Sequence, residues 1–94
     1  MPRPAINDYV FYKISCIDED IELCYIGSTC NLYKRRDTHK NSCNNPNHKD
    51  YNNPKYQIIR ENGGWQNFKL VEIGHREQIT LKESRIIEEE YRLE

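Results

Sequence analysis

The sequence predicts a small, single-domain α/β protein: a three-stranded antiparallel sheet flanked by helices in the order ββααβα. Three observations carry this. Two runs rich in β-branched and aromatic residues, 9–14 and 23–28, stand close enough to pair as a hairpin. Helix-starting residues recur at Asn31, at Asn53-Pro54, and at Thr80 with Glu83. Gly63-Gly64 then separates the second helix from a third apolar run at 66–74.

Each element has a local cause. In the first strand, Val10, Tyr12 and Ile14 share one face and Tyr9, Phe11 and Lys13 the other. Residues 17–22 are acidic and polar and form the hairpin loop; 23–28 make the second strand, with Cys24 expected as a small core hydrophobe. Asn31 caps a helix from about Leu32 to Asn41, and the Asn-, Asp- and His-rich stretch 42–52 is a surface loop. Pro54 starts the next helix because its missing N–H costs nothing in the first turn. Tyr56 and Trp65 are expected to pack against the sheet. Thr80 followed by Glu83 is a capping box opening a last helix that runs to Glu94.

Composition narrows the function classes. Of 94 residues, 36% are apolar and 31% charged, which excludes a large apolar interior. The longest apolar runs, such as Tyr9–Tyr12, have four residues, against the ~20 of a membrane span. Met1-Pro2-Arg3-Pro4 is followed by no secretory-type apolar stretch, so an intracellular compartment, cytoplasm or nucleus, is expected. The four cysteines, none in a CxxC pair, are expected to be reduced there. Net charge is −1, yet residues 33–60 carry seven basic and two acidic side chains. A basic middle between acidic ends points to an anionic partner for that segment.

The chemistry-bearing residues cluster around that segment. Val10-Phe11-Tyr12 and Tyr25-Ile26-Gly27 lie on adjacent strands. Arg35 and His39 follow, four apart and so on one helical face, and a glutamate-rich helix closes the chain. Tyr25-Ile26-Gly27-Ser28-Thr29, then Lys34-Arg35 and His39, together with Tyr56 to Trp65 and the terminal glutamates, resemble the GIY-YIG nuclease family over nearly the whole sequence. The first triplet departs from that pattern at Val10 and Phe11 and retains Tyr12. The family's downstream Asn and any separate target-recognition domain are absent, so residues 1–94 read as a bare catalytic domain or as one truncated at its C-terminus, with specificity expected to be supplied elsewhere.

The resemblance implies a metal-dependent endonuclease that cuts DNA, one strand per site, leaving a 3′-hydroxyl and a 5′-phosphate. Tyr12 would be the general base or would position the attacking water, and Tyr25 would hold the phosphate or that water. Arg35 offers a planar, permanently charged donor set suited to phosphate oxygens. His39, with a reference pKa near 6.5, would take up or relay the proton. One Mg²⁺ (or Mn²⁺) would sit on a terminal-helix glutamate. The resemblance places that ligand at Glu88, ahead of Glu89 and Glu90. Helical periodicity instead sets Glu83 and Glu90 among Ile86, Ile87 and Leu93. Lys34, Arg36 and Lys40 are the expected nucleic-acid contacts. The alternative is a non-catalytic nucleic-acid-binding module on the same scaffold. Cys30, His39, Cys43 and His48 fit no compact zinc pattern, so a zinc-stabilised domain ranks third.

Overall fold

The computed structural model describes residues 5–93; Met1 to Pro4 and Glu94 lie outside them. The expected order is present: β1 (Ile6–Cys16), β2 (Cys24–Thr29), α1 (Leu32–Asn44), α2 (Pro54–Glu61), a 3-10 turn (Trp65–Asn67), β3 (Phe68–Thr80) and α3 (Leu81–Arg92). β1 is central in a β2-β1-β3 sheet, antiparallel to both neighbours. Among the described residues, no helix is long and apolar enough to cross a membrane.

Helices cover both faces of the sheet, which explains why both faces of β1 are apolar. On one face Tyr12, Ile14 and Cys16 form a core with Cys43 of α1, Tyr56 and Ile59 of α2, and Phe68 and Leu70 of β3. On the other, Phe11 is fully buried and its ring lies 5.5 Å from that of Tyr91 on α3. Trp65 packs against the first core, and Tyr56 is buried within it.

The local signals act as expected. The Asn31 side chain accepts the Lys34 N–H at 3.1 Å, and the Asn53 side chain accepts that of Lys55 at 3.0 Å. Both arms of the Thr80–Glu83 capping box are made. Gly63 and Gly64 have φ of 100° and 83°, a backbone that side-chain-bearing residues avoid, and α2 stops before them.

Boundaries differ where long-range contacts extend an element. β1 runs past the expected 9–14 at both ends and β3 runs past 74 because they pair with each other from Ile6↔Thr80 to Cys16↔Phe68, whereas residues 66–67 belong to the 3-10 turn and not to the strand. α1 continues to Asn44, since Ser42 and Cys43 are buried and reward another turn. Arg60 then pins the α1–α2 connection, donating to the carbonyls of Cys43 (3.0 Å) and Tyr51 (2.7 Å). α3 ends at Arg92, with Leu93 as its cap.

Cys24 corrects the expectation of a core cysteine: it is exposed, while Cys16 and Cys43 are buried. α3 crosses β2 with Glu88 at Ser28 and Arg92 at the Ile26 carbonyl. Cys24, two residues further along the strand, therefore lies past the end of the covering helix.

Candidate active site

Tyr12 reaches from the central strand to α1. Its hydroxyl is hydrogen-bonded to His39 Nε2 at 2.8 Å, and His39 Nδ1 to the Tyr56 hydroxyl at 2.7 Å. The route crosses β2 at Gly27, where a Cβ would stand 2.5 Å from the Tyr12 oxygen and 2.6 Å from Cζ. Gly27 is thus required by the path of the phenol. Gly27→Ala is expected to displace the Tyr12 ring and destabilise the fold by about 1–3 kcal/mol, the usual range for overpacking; urea unfolding measures this.

Tyr25, two residues before Gly27, places its ring 6.4 Å from that of Tyr12 and 6.0 Å from His39. The Lys55 ammonium sits 4.3 Å above the Tyr25 ring and 4.9 Å from that of Tyr56. Arg35 lies one turn before His39 on α1, exposed where His39 is buried. From the opposite face of the sheet, α3 presents Glu88, 4% exposed, whose carboxylate accepts the Ser28 hydroxyl at 2.9 Å. Arg92 approaches the second carboxylate oxygen at 3.7 Å. Tyr12, Tyr25, Lys34, Arg35, His39 and Glu88 all line one open cavity of about 650 Å³.

Two expected contact residues lie apart from this cavity. Arg36 donates to the Leu70 carbonyl at 3.4 Å, and Lys40 is exposed on α1 without lining the space. The periodicity ranking of the glutamates is corrected. Glu83 is exposed in the capping box, Glu90 is exposed, and Glu89 pairs with Arg92 at 3.0 Å. The buried stripe of α3 is Ser84 and Glu88, with Ile86 and Leu93 facing solvent. Among the described residues, no three His, Cys, Asp or Glu side chains gather where they could share a metal ion. Both ring nitrogens of His39 are taken by phenols, so the zinc set is not assembled.

Burial dominates the electrostatics. It lowers the His39 pKa to about 4, helped by the charges of Lys55 and Arg35, so the ring is neutral at pH 7. This corrects the expectation of a group titrating near 6.5. Burial also pushes the Tyr12 phenol well above its ordinary value, with Tyr25 adding to the rise and Arg35 opposing it. Lys55 is lowered, first by burial and then by Arg35.

Lys55, Tyr56 and Ser28 are cavity residues that sequence reasoning missed. One signal was present for Lys55. Cations in the first turn of a helix oppose the macrodipole, yet α1 begins with Lys34 and Arg35 and α2 with Lys55, and neither first turn holds an acid. Both caps, Asn31 and Asn53, line the same cavity, so two positive helix ends converge on it with Lys34, Arg35 and Lys55, and Arg85 of α3 lines it as well.

No curated protein and no solved structure was found to match this chain. The catalytic domain of the GIY-YIG family does match, over residues 8–92 and so almost end to end. By that match and by the sheet and helices described above, the chain belongs to the GIY-YIG catalytic domain family, a family of nuclease type.

Proposed function

We propose that this protein is a divalent-metal-dependent endonuclease that hydrolyses DNA phosphodiester bonds, one strand per site. The observation that carries the reading is the cavity: two phenols, a guanidinium and a buried carboxylate from four separate elements line it together. The positive helix ends beside Lys34, Arg35 and Lys55 suit a phosphate diester.

The donor chemistry at Glu88 fits one hard cation. Its carboxylate is buried at the cavity wall, and a single carboxylate suffices for an ion that keeps several waters. When bound, Mg²⁺ or Mn²⁺ would offset charge on the phosphate and acidify water there. Arg35 would grip the non-bridging oxygens, with Lys34 and Lys55 holding the strand. Tyr12 would accept a proton from the attacking water as its own passes to His39 Nε2, 2.8 Å away. A bond from water oxygen to phosphorus would form as the bond to the 3′ oxygen breaks, that oxygen leaving with the electron pair and taking a proton from solvent to become the 3′-hydroxyl. Burial is the first cause of the neutral His39, and the charges that add to it, Lys55 and Arg35, are those a bound phosphate offsets, so substrate would raise the proton affinity of the acceptor.

One observation favours a second reading, a non-cleaving nucleic-acid binder: without substrate, a raised Tyr12 and a lowered His39 make a poor base pair. Incubation with supercoiled plasmid and Mg²⁺ separates the two. Nicking that stops with EDTA is the expected result; a salt-sensitive gel shift without nicking overturns the hydrolytic reading.

A further inference from the structure

The cavity extends past the groups that the hydrolytic reading uses. α3 runs against the direction of β2, with Glu88 at Ser28 and Arg92 at the Ile26 carbonyl. Arg85, three residues before Glu88, therefore stands about 4.5 Å further along the helix axis, toward the Thr29 end of the strand. Lys55 marks the opposite end, 4.3 Å above the Tyr25 ring. Past Glu88 the wall is Tyr9, Cys30, Leu81 and Arg85, of which Arg85 alone carries charge. This guanidinium is not spent on the fold. Arg36, Arg60 and Arg92 donate to backbone carbonyls, and Arg92 also pairs with Glu89. Among the described residues, the side chains of Arg35 and Arg85 have no such partner, and both line the cavity. The acids within one turn after Arg85 are engaged elsewhere: Glu88 accepts from Ser28, and Glu89 from Arg92 at 3.0 Å. Across the whole cavity Lys34, Arg35, Lys55 and Arg85 outnumber Asp50 and Glu88, so it suits a ligand with more than one negative charge.

We propose that Arg85 is a substrate-binding residue that holds the phosphate next to the scissile one. The DNA strand then passes from the α1 and α2 ends, across Glu88, to the first half of α3, gripped from the two faces of the sheet by Arg35 and Arg85. A guanidinium with all its donors free is the side chain best matched to phosphate oxygens. The phosphate it holds does not react, so Arg85 binds ground state and transition state alike and contributes affinity rather than rate. Contact with a phosphate fixes the register of the strand without reading its bases. The proposal rests on the hydrolytic reading above for which phosphate is scissile, but not for the contact itself.

Binding of a DNA duplex in EDTA, where no metal-dependent cleavage occurs, measures the contact directly. Arg85→Ala is expected to weaken binding and to lower the slope of log affinity against log salt by about one. Between about 50 and 200 mM salt the variant then loses about 3-fold less affinity than the wild type. Arg85→Lys, which keeps the charge, is expected to restore the slope. Arg76→Ala, the control for net charge, removes an exposed arginine on β3 that does not line the cavity, and is expected to leave the slope unchanged. In the plasmid assay with Mg²⁺, Arg85→Ala is expected to raise KM with kcat unchanged. An unchanged slope in Arg85→Ala, an equal drop in Arg76→Ala, or a lowered kcat with KM unchanged overturns the proposal while nicking by the wild type upholds the hydrolytic reading. The expected slopes without nicking by the wild type support the Arg85 contact and overturn the hydrolytic reading instead. No duplex binding by the wild type overturns both.

Discussion

Glu88→Gln is expected to reduce plasmid nicking by about 10³-fold, the scale of losing a principal electrostatic group in an active site. Its effect on stability should be small. Glutamine has the same shape, and its amide oxygen can still accept the Ser28 hydroxyl that the carboxylate holds at 2.9 Å. The Arg92 contact it gives up is long, 3.7 Å, and Arg92 is half exposed, so its loss costs about 1 kcal/mol or less. What disappears is the negative charge at the cavity wall, and with it the proposed cation site. A Mn²⁺ titration should therefore lose saturable binding in the same variant. Glu89→Gln and Glu90→Gln are the internal controls, since both residues are exposed away from the cavity. Loss of nicking in Glu90→Gln with retention in Glu88→Gln would overturn the assignment. Arg35→Ala is expected to lower nicking to a similar degree, by removing the charge opposite.

Between pH 6.5 and 4, His39 is expected to take about 3 kcal/mol of folding stability away. Its pKa falls from 6.5 in the unfolded chain to about 4 in the fold, first through burial and then through Lys55 and Arg35. Above pH 6.5 neither state binds the proton and the stability is fully present. As pH drops, the unfolded chain protonates first and gains. Below pH 4 the folded ring protonates as well, and the loss levels off. Carboxylates titrate in the same region, so the comparison is with His39→Gln, which is less stable but lacks this dependence. Urea unfolding at intervals from pH 7 to 4 should give two curves that converge. Parallel curves would mean that His39 is not held neutral by the fold. In catalysis the same depression predicts an acid limb of kcat/KM near pH 4 rather than 6.5, because the free enzyme sets that limb.

These expectations rest on features of different legibility. Asn31, Asn53-Pro54 and the Thr80–Glu83 box mark helix starts because their hydrogen bonds close within three residues, and such bonds form whatever the rest of the chain does. The four-residue spacing of Arg35 and His39 sets both on one side of α1 for the same reason. The phenol–guanidinium–glutamate set was legible through the family resemblance and spacing, which carry positions but not environments.

Sequence alone determined which segments become strands and helices and where the helices begin. Tertiary structure decided the rest. Apolar periodicity pointed α3 the wrong way because its buried stripe is Ser84 and Glu88, a polar stripe that makes sense only against Ser28 on the facing strand. Cys24 is exposed because α3 ends before covering it, and Lys55 joins the cavity because α2 folds back beside Tyr25. The neutrality of His39 belongs to this class as well. A pKa is set by the water removed and the charges brought near, and for His39 these come from residues up to 27 positions away in the chain.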